Sequence, residues 1–200
     1  MPTETDGTQH VTLWNLANVL TMARVALVPV FAVLMLGDST AARVGAAVVF
    51  LVAAATDKLD GHIARSRGLV TNFGKIADPI ADKALVIAAL LLLWGEGTIP
   101  WWVPVTIIVR ELGITLLRFV MVRRAVMAAS NGGKLKTVLQ IVFISAYLVP
   151  WGSFLPEAAA DVVLLITWWV MVLAVVVTVV TGLDYVLRAV RIARAAPGPQ

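Results

Sequence analysis

Long apolar stretches separated by short polar ones run along most of this chain, the pattern of an integral membrane protein. The first apolar segment follows TLWNLANVLTMAR and ends near residue 37. Pro29 is tolerable inside a membrane helix. Residues 15–22 mix polar and apolar positions and suit an N-terminal helix lying along the interface before the span begins. GDSTAAR is a tight break. A second span is expected from about 41 to 67, a short polar turn at 68–72, and a third span from about 73 to 94. GEGTIP is the next break, with Pro100 suited to the first turn of a fourth span that ends near 124. MAASNGGKLKT is the longest polar stretch in this region, and a fifth span follows it from about 135 to 150. WGSFLPEAAAD interrupts again. The last span, from about 162 to 190, exceeds a ~30 Å hydrocarbon core at ~1.5 Å per residue, so it must tilt or protrude. The expected fold is all-α: a polar tail over 1–11, six transmembrane helices over 12–190, and a C-terminal tail over 191–200. Neither an internal repeat nor a second domain is visible.

Composition agrees. The chain is 60% hydrophobic with a mean hydropathy of +0.91, above a soluble domain, where roughly half the residues are apolar. It has no cysteine, which excludes a disulfide framework and a thiolate metal site. The opening residues, MPTETDGTQH, carry no Lys or Arg and so lack the basic region of a cleaved signal peptide. The net charge of +4 bears on topology and anionic headgroups rather than on nucleic acid. Six spans put both termini on one side of the membrane. The breaks after spans one, three and five hold a single basic residue, Arg43, beside Asp38, Glu96, Glu157 and Asp161. By the positive-inside rule those breaks face outward and both termini are cytoplasmic. Trp94, Trp101, Trp102 and Trp151 then form an aromatic belt at the outer interface.

One stretch changes the picture from membrane protein to enzyme. DKLDGHIARSRGLVTNFGKIADPIAD, residues 57–82, carries four aspartates at the facing ends of spans two and three. In a helix Asp57, Asp60, Gly61 and Ala64 follow i, i+3, i+4, i+7 spacing and share a face, and Gly74, Asp78 and Asp82 share a face of the next helix. The short turn makes the two helices antiparallel neighbours, so four carboxylates converge. Like charges in a poorly hydrated site repel strongly. Protonation or cations can relieve them, and an all-oxygen set favours hard ions such as Mg²⁺ or Mn²⁺. Two ions roughly 4 Å apart sharing carboxylates bind and polarise a pyrophosphate. Gly61, Ala64 and Gly74 leave room for a close ligand, and the planar fork of Arg65 suits a phosphate. Taken singly, the small residues also serve helix packing, Asp57 can sit at the interface, Asp78 before Pro79 can be an N-cap, and His62 suits a structural role. The set of eight positions would arise by chance with a probability on the order of 10⁻¹⁰ per starting point at average residue usage.

Asp57-x2-Asp60-Gly61-x2-Ala64-Arg65-x8-Gly74-x3-Asp78-x3-Asp82 matches in full the signature of the CDP-alcohol phosphatidyltransferases, and the chain resembles that family over nearly its whole length. The resemblance implies a site of two metal ions ligated by Asp57, Asp60, Asp78 and Asp82, with Asp82 also the base that activates an acceptor hydroxyl. It implies that Gly61, Ala64, Arg65 and Gly74 hold the CDP part of the donor, and it suggests a homodimer. NLANVLTMAR, ADPIADK, RELGITLLR and GGKLKTVLQ are similar to the bacterial phosphatidylglycerophosphate synthases. That branch transfers a phosphatidyl group from CDP-diacylglycerol to glycerol 3-phosphate at the cytoplasmic face of the bacterial inner membrane. Ala17 stands before Asn18 where a Pro is common in that branch.

The acceptor side has its own residues. Arg110 and Glu111 lie about ten residues from the outer end of the fourth span, at mid-bilayer depth, where an ionisable pair marks a function or a structural ion pair. Arg118 follows on the same stripe, and Lys134 and Lys136 follow in the break before span five. Arg110, Arg118, Lys134 and Lys136 are expected to form a basic pocket for an acceptor that carries a phosphate. Arg123 and Arg124 read as topology determinants. Arg24 reads either as a snorkelling residue or as part of the site. A cardiolipin synthase, an inositol-phosphate phosphatidyltransferase and a divalent-cation transporter are the competing readings. The transporter lacks a carboxylate path on spans five and six and a repeat.

Overall fold

The structure is a computed structural model that describes the backbone of residues 16–67, 72–121 and 131–195 and the side chains of 22–56, 83–119 and 133–192. Among these residues six α-helices follow one another: α1 (Leu16–Met35), α2 (Thr40–Arg67), α3 (Asn72–Gly95), α4 (Trp102–Met121), α5 (Asn131–Leu148) and α6 (Glu157–Ala195). A 3₁₀ turn at Trp151–Ser153 leads into α6, and no strand occurs among the described residues. The expected all-α class and the order of six helices are what the described chain shows.

Several boundaries differ from the sequence reading. From Leu16 onward the stretch expected along the interface continues without interruption into the rest of α1. α5 starts at Asn131, four residues before the expected start, so Lys134 and Lys136 lie on the helix and not in a break. Gly132 and Gly133 weaken a helix by about 1 kcal/mol each relative to Ala. Packing of α5 along α6 outweighs that local preference. α6 is 39 residues long, or about 58 Å: it starts at Glu157, ahead of the expected 162, where Pro156 accepts from the Ala160 amide, and it ends at Ala195, beyond the expected 190.

α1 packs along both α2 and α3, α5 along α6 and α2, and α4 along α6 and α3. Phe31 and Met35 of α1 meet Phe50 of α2, with ring centroids of Phe31 and Phe50 6.0 Å apart. Ala46, Ala47 and Ala53 keep the facing side of α2 thin, which lets helix axes approach. Leu90 and Leu93, Val103 and Ile107, Phe143 and Ile144, and Met171 complete the core from α3 to α6.

The breaks between odd and even helices meet at one end of the bundle. Arg43 Nη1 donates to both carboxylate oxygens of Glu96 at 2.6 and 2.7 Å, and Thr40 and Ser153 hydroxyls lie 3.3 Å apart. The outer surface is apolar: Val33, Val109, Leu116, Phe119, Leu135, Leu165, Val180 and Leu183 are all more than half exposed. An exposed apolar surface of this extent marks contact with a membrane or a partner. Residues Glu157–Ile192 form the one helix among the described residues long and apolar enough to cross a bilayer, with mean hydropathy 2.8 and 28% of that window buried. A core helix of a soluble protein is mostly buried, and this one is not. Met22–Met35, Thr40–Thr56 and Lys83–Gly95 are shorter apolar stretches.

Candidate active site

Helix α4 carries the ionisable groups into the bundle. Arg110 and Glu111 are adjacent, so their side chains leave the helix about 100° apart. Arg110 donates from Nη2 to Thr181 Oγ1 of α6 at 3.3 Å and from Nη1 to Glu111 Oε1 at 3.1 Å. Lys136 of α5 donates to the same Oε1. One carboxylate oxygen therefore sits between two cations. The side chains are only 14%, 17% and 8% exposed for Arg110, Glu111 and Lys136, so solvent screens their attraction far less than at a surface.

A second knot lies one turn along. Thr115 Oγ1 donates to the backbone carbonyl of Glu111 at 2.7 Å. Lys83 of α3 donates to Thr115 Oγ1 and, at 3.4 Å, to that carbonyl. Gln140 of α5 donates to Thr178 Oγ1 of α6 at 3.2 Å in the buried interior. These bonds tie α3, α4, α5 and α6 together where backbone groups are already satisfied within helices. Side-chain bonds of this kind hold membrane helices in register.

Between these knots lies a cavity of about 250 Å³, bounded by Arg24 of α1, Ala53 and Ala54 of α2, Lys83 of α3, Glu111 of α4, and Lys136 and Gln140 of α5. It has room for several waters or a small phosphate ester. Its polar lining is dominated by cations. Along the chain it adjoins both ends of the aspartate stretch: Ala54 precedes Asp57 by three residues and Lys83 follows Asp82 directly. Arg24 is 3% exposed and faces the cavity, which favours its site role over snorkelling.

Of the four residues expected to hold an acceptor phosphate, the structure brings Arg110 and Lys136 to one carboxylate, and Lys136 lines the cavity. Arg118 instead turns to α6, where Nε donates to the Tyr185 hydroxyl at 3.3 Å and the guanidinium lies 5.5 Å from the ring centroid. Lys134 is exposed. Lys83, Thr115, Gln140, Thr178, Thr181 and Tyr185 escaped the sequence reading. The available signal was polar side chains inside apolar helices, which need partners there.

The side chains of Asp57, Asp60, Asp78, Asp82, Gly61, Ala64, Arg65, Gly74 and His62 lie outside the described residues, as do Arg123 and Arg124. The backbones of the motif residues belong to helices: α2 is continuous through 57–65 and α3 through 74–82. Both stretches are helical, as the spacing argument requires, and four carboxylates are a fitting oxygen set for hard divalent ions. Among the described residues no group of three His, Cys, Asp or Glu is placed to hold a metal. The four aspartates are not among those residues.

Comparison with known proteins points the same way. The family described as CDP-alcohol phosphatidyltransferase matches residues 14–188. A Mycobacterium tuberculosis protein named probable phosphatidylglycerophosphate synthase is 47% identical over 180 residues, covering 88% of this chain and 82% of its own length. A Bacillus subtilis CDP-diacylglycerol--glycerol-3-phosphate 3-phosphatidyltransferase is 41% identical over 188 residues, covering 86% of this chain and 94% of its own. A Rickettsia typhi protein of the same name is 36% identical over 173 residues, with shares of 86% and 94%.

Proposed function

The chain belongs to the CDP-alcohol phosphatidyltransferase family, and on that premise we propose that it transfers the phosphatidyl group of CDP-diacylglycerol to glycerol 3-phosphate. The products are phosphatidylglycerophosphate and CMP, a step of phospholipid biosynthesis. The observation that carries this reading is the complete aspartate signature on two consecutive helices, in a chain 41% identical to a relative named for that reaction.

Asp57, Asp60, Asp78 and Asp82 would hold two ions, Mg²⁺ or Mn²⁺. Bound there, the ions supply charge neutralisation and a fixed seat for the donor pyrophosphate. Gly61, Ala64 and Gly74 let the CDP moiety approach the helix backbones, and Arg65 pairs with its phosphate. Asp82 takes the proton from the acceptor hydroxyl, which attacks the phosphorus bearing the lipid, and CMP leaves. Holding the two substrates in line and neutralising the developing charge supply most of the rate. Lys136 meets the phosphate of the acceptor in the cavity, and Arg110 adds its charge beside it. Arg118 and Lys134 complete the basic approach from the cytoplasmic side.

The six helices are proposed as six spans with both termini and the aspartate end in the cytoplasm, in the bacterial cell membrane, and the working unit as a homodimer. The meeting of Arg43, Glu96, Thr40 and Ser153 at one end supports the alternation of the helices.

The acceptor assignment is tested by supplying the purified protein with CDP-diacylglycerol and, in turn, glycerol 3-phosphate, inositol phosphate and phosphatidylglycerol, then identifying the lipid made. Phosphatidylglycerophosphate is expected. Product from inositol phosphate and none from glycerol 3-phosphate would overturn the assignment.

A further inference from the structure

Glu111 has no place in the transfer just described, yet it sits at the focus of the basic groups. Its Oε1 receives both Arg110 and Lys136. Oε2 has no hydrogen-bond partner among the described residues, although the residue lines the cavity. Its backbone carbonyl, by contrast, is held by Thr115 and Lys83. The main chain is fixed and the carboxylate is held through one oxygen alone. A phosphate monoester offers three terminal oxygens and nearly twice the charge of a carboxylate. For an ammonium in a poorly screened cavity it is the stronger partner.

We propose that Glu111 is the resident counter-anion of the acceptor site: it neutralises Lys136 while the cavity is empty and yields it to the phosphate of the incoming acceptor. Two buried cations left without an anion would be costly in the ligand-free protein. Glu111 removes that cost and still leaves the site loadable. Arg110 stays on the carboxylate and on Thr181, so one cation is exchanged and the other holds the displaced carboxylate. Glu111 is thus a positioning residue that sets the affinity for phosphate, and it discriminates against acceptors whose anion is too weak to displace it. The inference rests on the reading of the cavity as the acceptor site.

The test uses the full-length protein in detergent, with inorganic phosphate as the probe and the midpoint of thermal unfolding as the readout. Glu111→Gln should lower the midpoint in the absence of phosphate. It should also bring half-saturation to roughly tenfold lower phosphate than in the unsubstituted protein, since a competing negative charge is gone. Lys136→Gln should abolish the phosphate response in both backgrounds. A merely structural ion pair would lower the midpoint without tightening phosphate, so unchanged or weaker phosphate affinity in Glu111→Gln overturns the proposal. If that variant does not accumulate, Glu111→Asp serves. It keeps the charge but withdraws it by one methylene, and it must also bind phosphate more tightly than the parent for the proposal to stand. Tightened phosphate binding without transfer to glycerol 3-phosphate would sink the acceptor assignment alone. Normal transfer with phosphate affinity indifferent to Glu111 would sink this inference alone.

Discussion

A Cβ at Gly182 would stand 3.1 Å from Cγ of Arg110, so this glycine is the space that lets Arg110 lie against α6 and reach Thr181. Gly182→Leu should push the guanidinium away, at an overpacking cost of about 1–3 kcal/mol. The half-saturating glycerol 3-phosphate should rise severalfold in steady-state assays. Asp82→Asn addresses the other half of the site: CMP release in saturating Mg²⁺ should fall by about two to four orders of magnitude, and near-parental turnover would remove Asp82 as the base. These residues were not equally visible in the sequence. The four aspartates proposed as metal ligands stand out in the sequence because all four fall in one short stretch at helical spacing. Lys83 is no less charged, but its partners Glu111 and Thr115 lie 28 and 32 residues away, and only the fold brings them together.

Among the elements, α5 shows why boundaries are harder to read than helices. Gly132 and Gly133 looked like a break, because local propensity was all the sequence offered there. The helix instead runs back to Asn131, and Lys136 in its second turn is buried. The bond from Gln140 to Thr178 fixes α5 on α6. Gln140→Leu should cost about 0.5–1.5 kcal/mol of stability, read as a lower unfolding midpoint in detergent. The tie between α2 and the end of α3 is different in kind. Arg43 and Glu96 are 22% and 34% exposed, and such partly solvated pairs contribute about 1 kcal/mol or less. Arg43→Ala should shift the midpoint only slightly and leave turnover per folded molecule unchanged, which a paired stability and activity measurement would show.

For the molecule as a whole, the number and order of helices were legible because each apolar run is bounded by charged or glycine-rich breaks. Which helices touch was legible only for α2 and α3, joined by a short turn: nothing in the sequence puts α1 against both of them, or α6 against α4 and α5. Orientation can be measured cleanly, since the chain has no cysteine of its own. A single Ser153→Cys should react in intact cells with a maleimide that cannot cross the membrane, whereas Ala196→Cys should react only after permeabilisation. Removing divalent ions with a chelator should abolish transfer, and Mg²⁺ or Mn²⁺ should restore it. Helix α6 meets its neighbours through Thr178, Thr181 and Tyr185, which take Gln140, Arg110 and Arg118 in turn. The three positions are in phase with one another, as teeth on a single rack. One alanine inserted just before Thr178 would turn all three by about 100° and disengage them together, while four inserted residues would nearly restore the phase one turn further along. The last helix therefore acts as an index that sets the rotation of the basic site.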